Sequence, residues 1–185
     1  MSPKVFKCFE KIIQNYYEQK SKPLSVIELG AYYWSLLKID TFANSRKVAF
    51  NLSFTDGDKL ALKDYEIVEG NINNLPFKDN ELDCILSCSV FEHDKYFWKS
   101  FAEINRVIKI GGLLVIGVPV YVSLKTDCLN TTLTYHRHGK NYNADFYRFS
   151  EQAVREVFFE GYKIVATQLV RRYPNPYLIM AGIKL

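Results

Sequence analysis

The sequence predicts an α/β domain built on one mostly parallel sheet, with helices on both faces and a hairpin at one edge. Three observations predict it. Short apolar runs alternate with helical patterns between residues 24 and 118, the order that strand–helix–strand crossovers produce. Two runs, 82–88 and 113–118, are apolar at most positions, which fits strands buried on both faces. Two strand-like runs then close the chain, separated by Pro174-Asn175-Pro176.

Each element follows from its pattern. Val5, Phe6, Phe9, Ile12, Ile13, Tyr16 and Tyr17 recur at helical spacing, and Ser21-Lys22-Pro23 ends that helix. Residues 24–29 form strand 1, and Gly30 closes it. A helix over 33–42 follows, from Trp34, Leu36, Leu37 and Ile39. Residues 47–52 read as strand 2, 55–58 as a turn, and 60–64 as one helical turn. Residues 66–69 form a brief strand that Gly70 breaks. After a turn at 78–80, the buried run 82–88 supplies strand 4. Phe97, Trp98, Phe101, Ile104, Val107 and Ile108 predict a helix over 97–110, stopped by Gly111-Gly112. Strand 5 is 113–118, ended by Pro119. Ser150 reads as an N-cap with Glu151 in the first turn. Ala153, Val154, Val157 and Phe158 form that helix's apolar stripe before Gly161. The last strands are 162–170 and 177–183.

Composition narrows the class. With 185 residues, 48% hydrophobic and 24% charged, residues 1–185 suffice for a single domain with a sizeable core. The net charge of +4 is spread among interspersed lysines and glutamates, so no nucleic-acid partner is expected. Lys4, Lys7, Glu10 and Lys11 exclude a signal peptide at the start of this sequence. No run reaches membrane-spanning length. Cys8, Cys84, Cys88 and Cys128 contain no C-x-x-C pair. On a strand, Cys84 and Cys88 would stand roughly 13 Å apart, at about 3.3 Å per residue, too far to share a metal. Reduced thiols in a cytoplasmic protein are expected.

The candidate site lies at one edge of the sheet. The turn after strand 1, Glu28-Leu29-Gly30-Ala31, is where an open α/β sheet receives a nucleotide-like ligand. Glu28 has two roles open to it: accepting from a ligand ammonium, or tying down the turn's own N–H groups. Tyr32-Tyr33-Trp34 follows where a phosphate or nucleoside cradle calls for small residues. Rings folded away would leave room for a ligand; rings in the crevice would fill it. Asn51, followed by Leu52, ends strand 2, where ribose hydroxyls need an acceptor. Asn71 can accept an adenine amino group, with Ile72 against the ring. Ser87 and Ser89 lie where strand 4 ends, on the same edge. Residues 120–149 show no period, and a loop of that length in a small domain reads as a lid or acceptor loop. His93, His136 and His138 are the candidate general bases. Two histidines two apart, with Asp145 but no His-x-x-x-His helix and no cysteine partner, argue against a metal. Arg148 would either clamp an anionic acceptor or pin the loop to a carboxylate. There is no Gly-x-Ser-x-Gly, P-loop, EF-hand or Gly-x-Gly-x-x-Gly.

Taken together, certain residues resemble the class I S-adenosylmethionine-dependent methyltransferases, of the small bacterial and archaeal type. They are Val26-Ile-Glu28-Leu-Gly30, Glu69-Gly-Asn71, Leu75-Pro76-Phe77, Leu82-Asp83, Phe91-Glu92-His93, Glu103-Ile-Asn-Arg106-Val and Gly111-Gly112. The resemblance spans about residues 24–170, and its most specific part is 75–113. The tail His138-Gly … Asp145-Phe-Tyr-Arg-Phe-Ser150 is similar to members associated with glycan or cell-surface biosynthesis. The resemblance implies a Rossmann-like, doubly wound seven-stranded sheet of order 3-2-1-4-5-7-6, its last strand antiparallel. It implies S-adenosylmethionine as cofactor and a small-molecule or glycan acceptor, and it allows a homodimer. The chain departs from the pattern in keeping only Gly30 of the glycine-rich turn. It also carries amides, Asn51 and Asn71, where the family uses acids. Two readings follow: an active methyltransferase, or a degenerate member serving as a binding or regulatory subunit.

Overall fold

The computed structural model describes residues 1–23, 25–121, 145–171 and 176–185. Its seven strands are β1 (Ser25–Leu29), β2 (Arg46–Asn51), β3 (Glu66–Glu69), β4 (Leu82–Cys88), β5 (Ile108–Pro119), β6 (Tyr162–Val170) and β7 (Tyr177–Lys184). They form one sheet of order β3-β2-β1-β4-β5-β7-β6. β7 runs antiparallel to both β5 and β6, and the other pairs are parallel.

Alternate residues of the central strands feed two cores. Ile27, Leu29, Val48, Phe50, Ile85, Leu114 and Ile116 face one, with Phe101, Ile104 and Val107 of helix α3 (Phe97–Val107). Val26, Ala49, Cys84, Leu86 and Val115 face the other, with Phe9 and Ile13 of helix α1 (Pro3–Tyr17). This two-sided burial is why those runs carry so few polar residues.

The Leu-Pro-Phe and Glu-Ile-Asn-Arg motifs are joined physically. Arg106 donates to the carbonyls of Leu75 (3.0 Å) and Phe77 (2.8 Å) and pairs with Glu103 and Asp79. Glu103 in turn accepts from the Leu75 N–H at 2.7 Å. These side chains replace the backbone partners that an irregular loop lacks.

Four expectations need correction. The helix over 33–42 is absent; two 3₁₀ turns, Leu36–Lys38 and Asp40–Phe42, stand there instead. The Ser35 hydroxyl takes the Leu37 N–H, and Ile39 is extended (φ −63°, ψ 128°), so propagation stops after one turn. The 55–64 stretch is one helix, α2 (Asp56–Ala61), started by a Thr55–Asp58 capping box. Helix α3 ends at Val107, and Gly111-Gly112 lie inside β5 rather than stopping the helix. A bulge there shifts the β4–β5 register between Leu82 and Cys84. Ser150 caps α4 (Glu151–Ala153), as its position predicts, but the chain continues as a π-turn over Val154–Phe158. The wider turn swings Val157 out to 51% exposure while Val154 and Phe158 stay buried.

Cys8, Cys84 and Cys88 are thiols. Among the described residues, no helix is long and apolar enough to cross a membrane and no cluster suits a metal ion. Most of the expected acceptor loop, with His136, His138 and Cys128, lies outside the described residues.

Candidate functional site

The carboxyl ends of β1 to β4 open into a cleft of about 340 Å³, lined by Gly30, Phe50, Asn51, Leu52, Gly70, Asn71, Ile72, Ser89, Val90, His93 and Asp94. That volume lies within the range of small-molecule sites.

Strand 1 delivers Gly30 at φ +77°, and a Cβ there would stand 2.3 Å from Val90 Cγ2. Glycine is required on both counts. The N–H groups of Gly30 and Ala31 both donate to the Phe50 carbonyl, at 2.8 and 3.0 Å. Asn51 completes the junction: its Nδ2 donates to the Ala31 carbonyl at 2.9 Å, and its Oδ1 accepts the Leu52 N–H at 2.8 Å.

Glu28 is buried. Its Oε2 accepts from Ser35 Oγ (2.5 Å) and the Leu36 N–H (2.9 Å). Burial pushes its carboxyl up to about 7, against the pull of those donors. Of the two roles open to Glu28, this geometry serves the turn.

The three aromatic rings stay out of the cleft lining. Tyr33 and Trp34 are 53% and 55% exposed. The Tyr33 N–H donates to Asp58 Oδ1 at 3.1 Å, so the cap of α2 holds the turn outward.

Asn71 forms a turn of its own, its Oδ1 accepting the Asn73 N–H at 2.8 Å. Asn73 reaches across to Asp94 (3.1 Å) and Ser100 (2.6 Å), fixing the cleft's far wall. Ser87 is fully buried, and its hydroxyl has no hydrogen-bond partner among the described residues. Ser89 adopts φ +60°, a left-handed conformation that a serine holds only under constraint. Its hydroxyl lies 2.9 Å from the buried Tyr177 hydroxyl, which also meets Cys88 Sγ at 3.1 Å.

His93, in the turn Phe91–His93, places its Nδ1 2.9 Å from Asp145 Oδ1. The other carboxylate oxygen of Asp145 pairs with Arg148, so Arg148 pins its segment. The buried carboxyl of Glu92 is pushed up to about 8, chiefly by burial.

The cleft thus brings together Gly30, Asn51, Leu52, Asn71, Ile72, Ser89 and His93 from the predicted set. Glu28, Ala31 and Ser87 lie behind it. Phe50, Gly70, Val90 and Asp94 were missed: Phe50 and Gly70 read as strand and break, and Val90 was given no role of its own. Asp94, beside His93, carried a legible signal.

Comparison with known proteins gives a consistent placement. A family model described as a methyltransferase domain matches residues 23–116. An uncharacterised protein of Methanocaldococcus jannaschii is 30% identical over 141 residues, 74% of this chain. The chain spans 56% of that relative's length. Burkholderia thailandensis 1,6-didemethyltoxoflavin-N1-methyltransferase, solved with S-adenosylhomocysteine, superposes with a TM-score of 0.69 at 17% identity, covering 97% of this chain and 77% of that one. The [4+2]-cyclase SpnF superposes with a TM-score of 0.71 at 11% identity, covering 96% and 80%. With the family model matched across half of its length and the seven-stranded order in place, the chain belongs to the methyltransferase domain family and carries its class I fold.

Proposed function

We propose that the protein is a cytoplasmic S-adenosylmethionine-dependent methyltransferase acting on a small molecule or glycan intermediate. The carrying observation is the cleft of about 340 Å³ at the heads of β1 to β4, clear of the Tyr32-Tyr33-Trp34 rings. Asn51 and Leu52 would meet the ribose, with Asn71 and Ile72 at the base. Gly30 and Ser89 would flank the sulfonium side, backed by Glu28, Ala31 and Ser87. When bound, the cofactor supplies an electrophilic methyl group. The chain's contribution is alignment of an acceptor beside the cofactor's methyl group, with His93 receiving the proton the acceptor sheds.

A degenerate, non-catalytic role is the second reading. It is favoured by the prior use of site groups: the Gly30 and Ala31 N–H groups serve Phe50, and the Asn51 and Asn71 oxygens each accept from the chain. An amide oxygen keeps a second lone pair, so the two readings differ in a measurable affinity. Calorimetric and thermal-shift titration with S-adenosylmethionine and S-adenosylhomocysteine tests this. A site with a micromolar dissociation constant adds about 4 kcal/mol of stability at millimolar ligand. No shift with either compound would overturn the enzyme reading.

A further inference from the structure

Helix α1 and the turn after β1 meet over a second pocket, of about 230 Å³, which shares no lining residue with the cleft. Pro3 and Phe6 of α1 wall it on one side, and Trp34 walls it on the other. Trp34 is 55% exposed, although an indole ring usually carries much of its area into a contact. Phe6 is half-buried, with the core on its inner side. An open pocket between two aromatic side chains leaves apolar surface that a ligand can cover.

The polar groups of the lining divide in two. The hydroxyls are in use: Ser2 Oγ accepts the Val5 N–H at 3.4 Å, and Ser35 Oγ donates to Glu28 and accepts the Leu37 N–H at 3.1 Å. The charged side chains are Lys7 and Lys38, both exposed. Lys38 Nζ donates to the Tyr33 carbonyl at 2.8 Å, which holds the ammonium beside the turn and leaves it two further N–H donors. Among the described residues, no acidic side chain lines the pocket.

We infer that this pocket binds an amphiphilic carboxylate, its apolar body against Phe6 and Trp34 and its head between Lys7 and Lys38. Charge complementarity selects that class. A neutral apolar ligand would leave both ammoniums unused, and a cationic one would face two like charges. Burial of the apolar body supplies most of the affinity, and the exposed head adds a smaller, salt-screened share. The site is independent of the methyltransferase reading. Gly30 lines the cleft, while Trp34 and Ser35 line this pocket from the other end of the same turn.

Octanoate, octanol and octyltrimethylammonium are the probes, titrated by fluorescence into Trp98→Phe, which leaves Trp34 as the sole tryptophan. Octanoate should shift the Trp34 emission saturably, with octanol binding about fivefold more weakly and the ammonium more weakly still. Lys7→Gln combined with Lys38→Gln should bring octanoate to the level of octanol and leave octanol unchanged. The head-group comparison uses intact lysines, so it decides the matter even if the double variant fails to fold. Saturating S-adenosylhomocysteine should leave octanoate affinity unchanged, whether or not that compound itself binds. Equal affinities for octanoate and octanol, no saturable shift, or displacement of octanoate by S-adenosylhomocysteine would each overturn the inference. So would self-association that Trp34→Ala abolishes, which would make the occupant a second copy of the chain. Binding to phosphatidylglycerol vesicles without binding of octanoate would likewise overturn it, in favour of a lipid surface.

Discussion

Asn51 Nδ2 donates to the carbonyl of Ala31 across 2.9 Å, fastening the head of β2 to the turn that leaves β1. The same side chain takes the Leu52 N–H on its oxygen. One amide therefore shapes the cleft's central corner as both donor and acceptor. A carboxylate in its place would face the Ala31 carbonyl with an acceptor only.

Asn51→Asp should therefore lower stability, by about 1–2 kcal/mol, because the Ala31 carbonyl loses its donor. Urea unfolding measures this. An unchanged midpoint would show that the Asn51–Ala31 bond contributes little, and that the amide stands there for another reason.

Gly30→Ala should destabilise by about 1–3 kcal/mol, since φ +77° and a Cβ 2.3 Å from Val90 Cγ2 act together. Val90→Ala should recover the steric part and leave the backbone part. The double-mutant cycle separates them. Full additivity of the two substitutions would refute the clash.

Glu28 makes stability depend on pH. Its folded carboxyl titrates at about 7 against an ordinary 4.5, so the folded chain keeps a proton that the unfolded chain gives up. Stability then falls as pH rises from about 4.5 through 7. At about 1.4 kcal/mol per unit the loss reaches roughly 3 kcal/mol at most. Glu92, raised to about 8, adds a loss of the same sign over the overlapping span from about 4.5 to 8. Glu28→Gln should reduce the slope between about pH 4.5 and 7 to the Glu92 share and leave the loss between 7 and 8 in place. Parallel wild-type and Glu28→Gln curves between pH 5 and 8 would mean that Glu28 is ionised throughout.

Arg106→Lys should lower the urea midpoint more than Arg155→Lys, although each arginine forms an ion pair on its own helix or turn. A lysine keeps the charge but cannot reach the Leu75 and Phe77 carbonyls and Glu103 together. Equal effects would make the Leu75–Arg106 connection incidental.

Much of the architecture was legible because burial writes itself into residue type. Leu82–Cys88 and Leu113–Val118 carry so few polar residues because each packs on two cores. The expected strand order is the one observed. Helix 33–42 was misread because its apolar residues do have a buried side, Leu36, Leu37, Ile39 and Phe42. A 3₁₀ pair buries the same residues, and only the Ser35 cap and the extended Ile39 distinguish the two.

The sequence by itself determined the fold and the family, and it pointed to the edge of the sheet where the cleft opens. Those follow from local pattern: apolar periodicity, turn residues and motif order. Tertiary structure alone decided what the site's groups do. It turned Tyr33 and Trp34 outward through Asp58, engaged Glu28 with Ser35, and brought Asp145 to His93. The reason is physical. Whether a carboxylate faces a ligand or a backbone N–H, and whether a ring fills a crevice or leaves it, depends on partners far away in the chain, and residue type alone does not name them.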